Sequence, residues 1–113
     1  MAEDFQPATV SFLQNRERFV SPRVVVTGKV LYKASESDGD VHIVLVDPSV
    51  PNTITTLAEI AAADLDFVVC EVIPELPMPN GLPTLHSTIT VKGLARWDIE
   101  HGWPEVHPDL SWQ

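Results

Sequence analysis

The chain has 113 residues, of which 44% are hydrophobic and 20% charged, and these values are typical of one globular domain rather than a disordered chain. Seven basic residues against sixteen acidic ones give a formal net charge of −9, which disfavours a protein that holds nucleic acid mainly through its phosphates. No apolar run is long enough to cross a bilayer and the acidic start lacks a signal pattern, so we expect a cytoplasmic protein without a membrane partner.

Residues 1–21 carry no clear hydrophobic period. They predict either an extended arm or a short helix with Phe12, Leu13 and Phe19 facing inward, and in both cases a segment that covers one end of the core. We therefore separate this N-terminal arm from a domain over residues 22–113.

The first strong strand signal runs from Arg23 to Lys33, where apolar and more polar residues alternate. One face of this strand is expected to carry Val24, Val26, Gly28 and Val30. A glycine inside a strand indicates a bulge or a sharp bend, as in strongly coiled sheets. Residues 37–40 contain Asp-Gly and predict a hairpin turn, and the second strand follows from Val41 to Asp47.

A connection from Pro51 to Asp66 then carries the clearest helix signal of the chain. Thr56 and Glu59 fit a capping box, and the helix is expected over residues 57–65. Phe67 to Ile73 is the third predicted strand. Its apolar neighbours indicate that Cys70, the single cysteine, is a buried and unreactive thiol.

Four prolines within Pro74–Pro83 exclude regular structure there and predict a stiff surface loop. The fourth strand is expected over Thr88–Asp98, and a fifth begins at Trp103. Five strands, with glycines inside the first and fourth, predict an all-β fold: a small five-stranded OB-like barrel with one short helix and a Pro-rich loop.

Four segments of the chain also resemble a family. They are Val24–Val30, Asp38–Ile43, Glu71–Pro74 and the closing His101–Pro108, His-Gly-Trp-Pro-Glu-Val-His-Pro. Together they resemble small bacterial OB-fold-like proteins of unestablished function, which share a closing His-Gly-Trp-x-Glu-Ile/Val-His-Pro element. The resemblance implies an OB-like barrel over about residues 22–108. In one respect the chain departs from the family fold, because its helix signal falls between strands two and three rather than three and four.

The closing element holds the densest group of functional side chains. Alternation along a strand puts Trp103, Glu105 and His107 on one face and Val106 on the other. Together with His42 and Glu71 on neighbouring strands, the imidazoles and carboxylates could bind Zn²⁺ or a similar ion and activate water for hydrolysis.

Two other interpretations compete with a metal-dependent hydrolase. A histidine beside a carboxylate on a sheet is usually a hydrogen-bonded pair that stabilises the fold. Single-stranded nucleic acid is the third alternative, because OB barrels bind it through exposed aromatic side chains and basic grooves. Its candidate residues are Tyr32, Trp97, Trp103, Lys29, Lys33, Lys92 and Arg96.

We expect a non-enzymatic binding or interaction module that takes a partner protein or a small ligand, with no cofactor. The expected ligand-binding residues are His42, Glu71, Trp103, Glu105 and His107, together with the Pro-rich loop. Nucleic acid remains an alternative that the net charge disfavours. The sequence predicts neither the ligand nor the oligomeric state.

Overall fold

The computed structural model describes residues 5–14, 23–75 and 81–113, and these ranges form six strands and two short helices. In chain order the elements are β1 (Gln6–Ala8), α1 (Val10–Gln14), β2 (Arg23–Ser35), β3 (Val41–Val46), α2 (Leu57–Ala62), β4 (Phe67–Val72), β5 (Thr88–Asp98) and β6 (Trp103–Trp112). The fold is mainly β, as expected. None of the helices in these ranges is long and apolar enough to cross a membrane.

Five of the strands pair in a closed ring. β2 pairs with β3, β3 with β4, β4 with β6, β6 with β5, and β5 again with β2. The β4–β6 pairing is parallel and the other four are antiparallel. The remaining strand, β1, pairs in parallel with the first part of β2, beside the residues that β3 does not reach.

Side chains from all five ring strands meet in one buried group, the inner cluster, which therefore fills the inside of the ring. Its members are Val10, Leu13, Val24, Val26, Val30, Ile43, Leu45, Val68, Cys70, Val72, Ile89, Val91, Ala95 and Val106. The inward valines expected on β2 are confirmed, and so is the buried thiol. Helix α1 contributes two of these residues, Val10 and Leu13, so the described part of the N-terminal arm packs on the same core.

A second buried group, the outer cluster, lies on the other face of β2, β3 and β4. It consists of Leu31, Val44, Val46, Val50, Ile60 and Val69. Helix α2 covers this face, and its first turn has the predicted capping box: Glu59 N donates to Thr56 Oγ1 over 3.1 Å, and Thr56 N donates to Glu59 Oε1 over 3.1 Å. The helix ends at Ala62, before the expected end at residue 65.

The glycine inside β2 allows a close approach of two strands. A Cβ atom on Gly28 would lie 2.9 Å from the carbonyl oxygen of Val46 and 3.0 Å from Cβ of Leu45. The strand is also irregular slightly further along, where its register against β3 shifts between Val30 and Tyr32. The irregularity predicted from the glycine is therefore present as a register shift after Val30, while Gly28 itself provides the close contact with β3.

The N-terminal arm is the part that the sequence predicted least well. The described part of the arm contains the short helix α1, one of the two alternatives expected there, and also the strand β1, which was not expected. The described ranges thus hold two short helices rather than one. Phe19 and residues 76–80 of the loop lie outside the described residues. At the end of the loop, Gly81 accepts a hydrogen bond at its carbonyl oxygen from Trp112 Nε1 over 2.7 Å.

Candidate functional site

The closing element forms a turn followed by strand β6. Gly102 has φ +73°, a conformation that favours glycine, and its N–H donates to the carbonyl oxygen of Asp98 over 2.7 Å. The Asp98 carboxylate accepts from the backbone N–H groups of Glu100 and His101 over 3.0 and 3.3 Å. The turn is therefore organised by Asp98, the last residue of β5.

The predicted alternation along β6 agrees with the burial of its side chains. Val106 belongs to the inner cluster, whereas Trp103 packs against the outer cluster. Cross-strand register then brings the polar side chains together, because His42 lies opposite Glu71 and Arg96 lies opposite Glu105. The ring thus presents one row of polar residues on its outer face, from β3 through β4 and β6 to β5.

Glu71 lies at the centre of this row, between two imidazoles. Its Oε2 is 3.6 Å from Nε2 of His42, and its Oε1 is 3.6 Å from Nε2 of His107. His42 also faces Glu36, whose Oε2 lies 3.7 Å from Nδ1. Burial raises the pKa of Glu71, and the nearby negative charge of Asp40 raises it further.

Glu105 is the most deeply buried polar side chain of the group, with 1% of its surface exposed. Its Oε1 accepts from Arg96 Nε over 3.2 Å and its Oε2 accepts from Trp103 Nε1 over 2.9 Å. Burial, together with the adjacent carboxyl group of Glu71, raises the pKa of Glu105 to about 7. Burial and proximity thus disfavour the ionised form of both carboxyl groups. A cation beside them would stabilise that form.

Asp98 and His101 form a separate charged pair at the end of the row. Nδ1 of His101 lies 2.6 Å from Oδ2 of Asp98. This hydrogen bond holds the pKa of Asp98 well below its usual range and raises the pKa of His101. The His101 ring also stacks on Trp103, with centroids 4.4 Å apart and planes within 3°.

These side chains surround an open depression of about 300 Å³, here called the outer groove. It is lined by Glu36, Ser37, Asp38, Asp40, His42, Glu71, Arg96, Asp98, His101 and His107. Of the five residues expected to bind a ligand, His42, Glu71 and His107 line the groove directly. Glu105 lies beneath it, and Trp103 reaches it only through its contacts with Glu105 and His101.

The sequence analysis assigned some residues of the outer groove to other roles and did not identify others as part of the site. Asp40 was assigned to the hairpin turn, in which its N–H does donate to Asp38 Oδ1 over 3.0 Å. Arg96 was assigned to nucleic acid, but it pairs with Glu105. The signal that would have found them is the same period of two: Asp40 and His42 stand two apart, as do Arg96 and Asp98.

One candidate for nucleic-acid binding lies in a quite different environment. Lys29 is buried, and its Nζ donates to the carbonyl oxygen of Val50 and, over 2.7 Å, to Asn52 Oδ1. It therefore fixes the segment after β3 and is not available to a phosphate.

No protein-family model matches this sequence, and a search of curated proteins finds no significant match.

Proposed function

We propose that this chain is a non-enzymatic binding module of the OB type, and that the outer groove holds a positively charged ligand. The closed ring of five strands supports the OB-like assignment. OB barrels bind ligands on the face of their second and third strands and between the loops that join strands one to two and four to five. The corresponding parts here are β3, β4 and the β2–β3 and β5–β6 connections.

The location of the groove supports this assignment. Glu36, Asp38 and Asp40 come from the β2–β3 connection, and His101 comes from the β5–β6 turn. Between them, β3 and β4 contribute His42 and Glu71 to the floor. The outer groove thus occupies the part of the ring that serves for binding in OB barrels.

The charge of the groove is the observation that carries the proposal. Five of its ten lining residues carry carboxyl groups. The basic ones are Arg96, which pairs with Glu105, and three histidines, of which His101 pairs with Asp98. A concave surface with one dominant sign of charge concentrates ligands of the opposite sign. The groove therefore suits a cation and repels a phosphate chain.

The environments of the basic side chains weaken the nucleic-acid alternative. Lys29 is buried, Arg96 is engaged by Glu105, and Lys92 Nζ lies 5.1 Å from the centre of the Phe5 ring. Phosphate contacts from such side chains supply a large share of the affinity for nucleic acid.

The engagement of Glu105 favours binding over hydrolysis. The hydrolase interpretation requires a free carboxylate as general base. Both oxygens of Glu105 accept hydrogen bonds from within the protein, from Arg96 and Trp103.

The test is an amide-resolved NMR titration of the full chain with hexaamminecobalt(III), a diamagnetic cation whose ammonia ligands do not exchange. It binds through charge and hydrogen bonds alone. We expect saturable shifts confined to the outer groove, weakened by salt because exposed charges are screened. The double variant Glu36→Gln/Asp38→Asn is expected to lose affinity.

The matched control is Glu75→Gln/Asp64→Asn, which removes the same formal charge at exposed positions that do not line the groove. Shifts spread over the whole surface, or an equal loss of affinity in the control, would overturn the proposal.

A further inference from the structure

We propose that Asp40, Glu71 and His107 bind a divalent transition-metal ion of the Zn²⁺ class. This inference rests on the proposed function, because it identifies the cation that the outer groove would hold. The three side chains each offer one ligand atom, and these atoms all lie within 4.8 Å of one another.

The separation between two of these ligands suits a metal better than a hydrogen bond. Nε2 of His107 and Oε1 of Glu71 are 3.6 Å apart, which is too long for a hydrogen bond. In a tetrahedral zinc site with bonds of about 2.0–2.2 Å, neighbouring ligand atoms are about 3.3–3.6 Å apart. An ion can therefore join the two side chains with little movement of either.

His107 provides a second observation, independent of the negative charge. It is largely buried, with 23% of its side chain exposed, and its Nδ1 is a buried atom without a hydrogen-bond partner among the described residues. Its Nε2 lies 3.6 Å from Oε1 of Glu71, beyond hydrogen-bonding distance. No hydrogen bond with the described residues therefore fixes either ring nitrogen, and Nε2 is open to an ion.

The types of ligand determine the class of ion. One imidazole and two carboxylates form a mixed nitrogen and oxygen set, which zinc and its transition-metal neighbours accept. Ca²⁺ and Mg²⁺ instead prefer oxygen ligands alone and higher coordination numbers. His42 faces Oε2, the other oxygen of Glu71, at a distance of 3.6 Å.

A neighbouring group, Asp98, His101 and Glu105, also has ligand atoms within 4.8 Å of one another. All three are already engaged. Asp98 and His101 share a hydrogen bond of 2.6 Å, and Glu105 accepts from Arg96 and Trp103. An ion there would have to displace these partners, so the geometry favours the Asp40, Glu71 and His107 group.

The test is a titration of the chelator-treated full chain with Zn²⁺, followed by calorimetry and by the ¹⁵N shifts of the histidine rings. We expect saturation at a single equivalent and a change at His107 Nε2. His107→Gln and Asp40→Asn are each expected to weaken binding by about tenfold or more, as loss of a ligand does. Amide spectra without metal report whether each variant folds.

Asp64→Asn is the control for Asp40→Asn, because it removes the same charge at an exposed position that does not line the outer groove. No saturable binding of Zn²⁺, undiminished binding in His107→Gln, equal loss in Asp64→Asn or a ring shift confined to His101 would each overturn the metal site. If the groove still binds hexaamminecobalt(III) in that case, the proposed function stands without the metal. If neither probe binds, both fail.

Discussion

Glu71 and Glu105 lie on the parallel neighbours β4 and β6, and the carboxyl group of Glu71 helps to raise the pKa of Glu105. Burial raises the pKa of both, and each carboxyl group has a basic side chain beside it, His107 for Glu71 and Arg96 for Glu105. The pair links the outer groove to the polar residues beneath it. A charge added to or removed from one member is therefore expected to affect the other.

We expect the unfolding free energy of the metal-free protein to fall as pH rises through the pKa of Glu105. The pKa of Glu105 is about 7 in the folded state and 4.5, the ordinary value, in the unfolded chain. The folded state therefore binds this proton more tightly than the unfolded state does. This contribution is complete below the unfolded pKa and is lost as pH rises through 7. Its size is on the order of 3 kcal/mol.

Urea denaturation across this pH interval is the measurement, and Glu105→Gln is expected to reduce the slope. Glu100→Gln, at an exposed position, is the control and should keep the wild-type slope. A slope that survives in Glu105→Gln would contradict the prediction.

Gly28→Ala is expected to destabilise the protein by about 2–3 kcal/mol. The new Cβ would lie 2.9 Å from the carbonyl oxygen of Val46, and the backbone of Val46 cannot easily move away. Gly102→Ala is the comparison, since its Cβ meets nothing within 4 Å and only the positive φ opposes it. Gly102→Ala should lower the unfolding free energy by about 1 kcal/mol. Thermal and urea unfolding compare the two, and equal losses would show that close contact at Gly28 is unimportant.

Lys29→Met is expected to lower the unfolding free energy by about 1–3 kcal/mol, because it keeps the aliphatic packing but leaves the carbonyl oxygen of Val50 without its donor. Lys33→Met, at an exposed position of the same strand, should change stability little. Urea denaturation again measures both. A similar effect of the two substitutions would contradict the structural role of Lys29.

We expect the His101 ring to titrate above the ordinary histidine range, because Asp98 stabilises its charged form. The stabilising pair is present between the two pKa values: it is lost when pH falls through the lowered pKa of Asp98 and when pH rises through the raised pKa of His101. Proton NMR of the imidazole ring follows this titration. Asp98→Asn should move it back towards the ordinary range, and an unchanged titration would refute the assignment.

Local sequence patterns predicted the elements with strong internal signals. β5 spans Thr88–Asp98 as expected, and the start of α2 was predictable because Thr56 and Glu59 satisfy each other's backbone groups within one turn. The strand β1 was missed because its three residues carry no period of their own and are held by pairing with β2.

The sequence by itself determined that this chain is rich in β-strands and that the valines of β2 face inward. It also determined that Trp103, Glu105 and His107 lie on one side of a strand. These features follow from the alternation of side chains along a strand. Only the tertiary structure decided which strands are neighbours. Glu71 lies between His42 and His107, and Asp40 joins them, because β4 pairs with both β3 and β6. Such pairings join residues far apart in the chain and depend on the packing of the whole ring, which no local pattern contains.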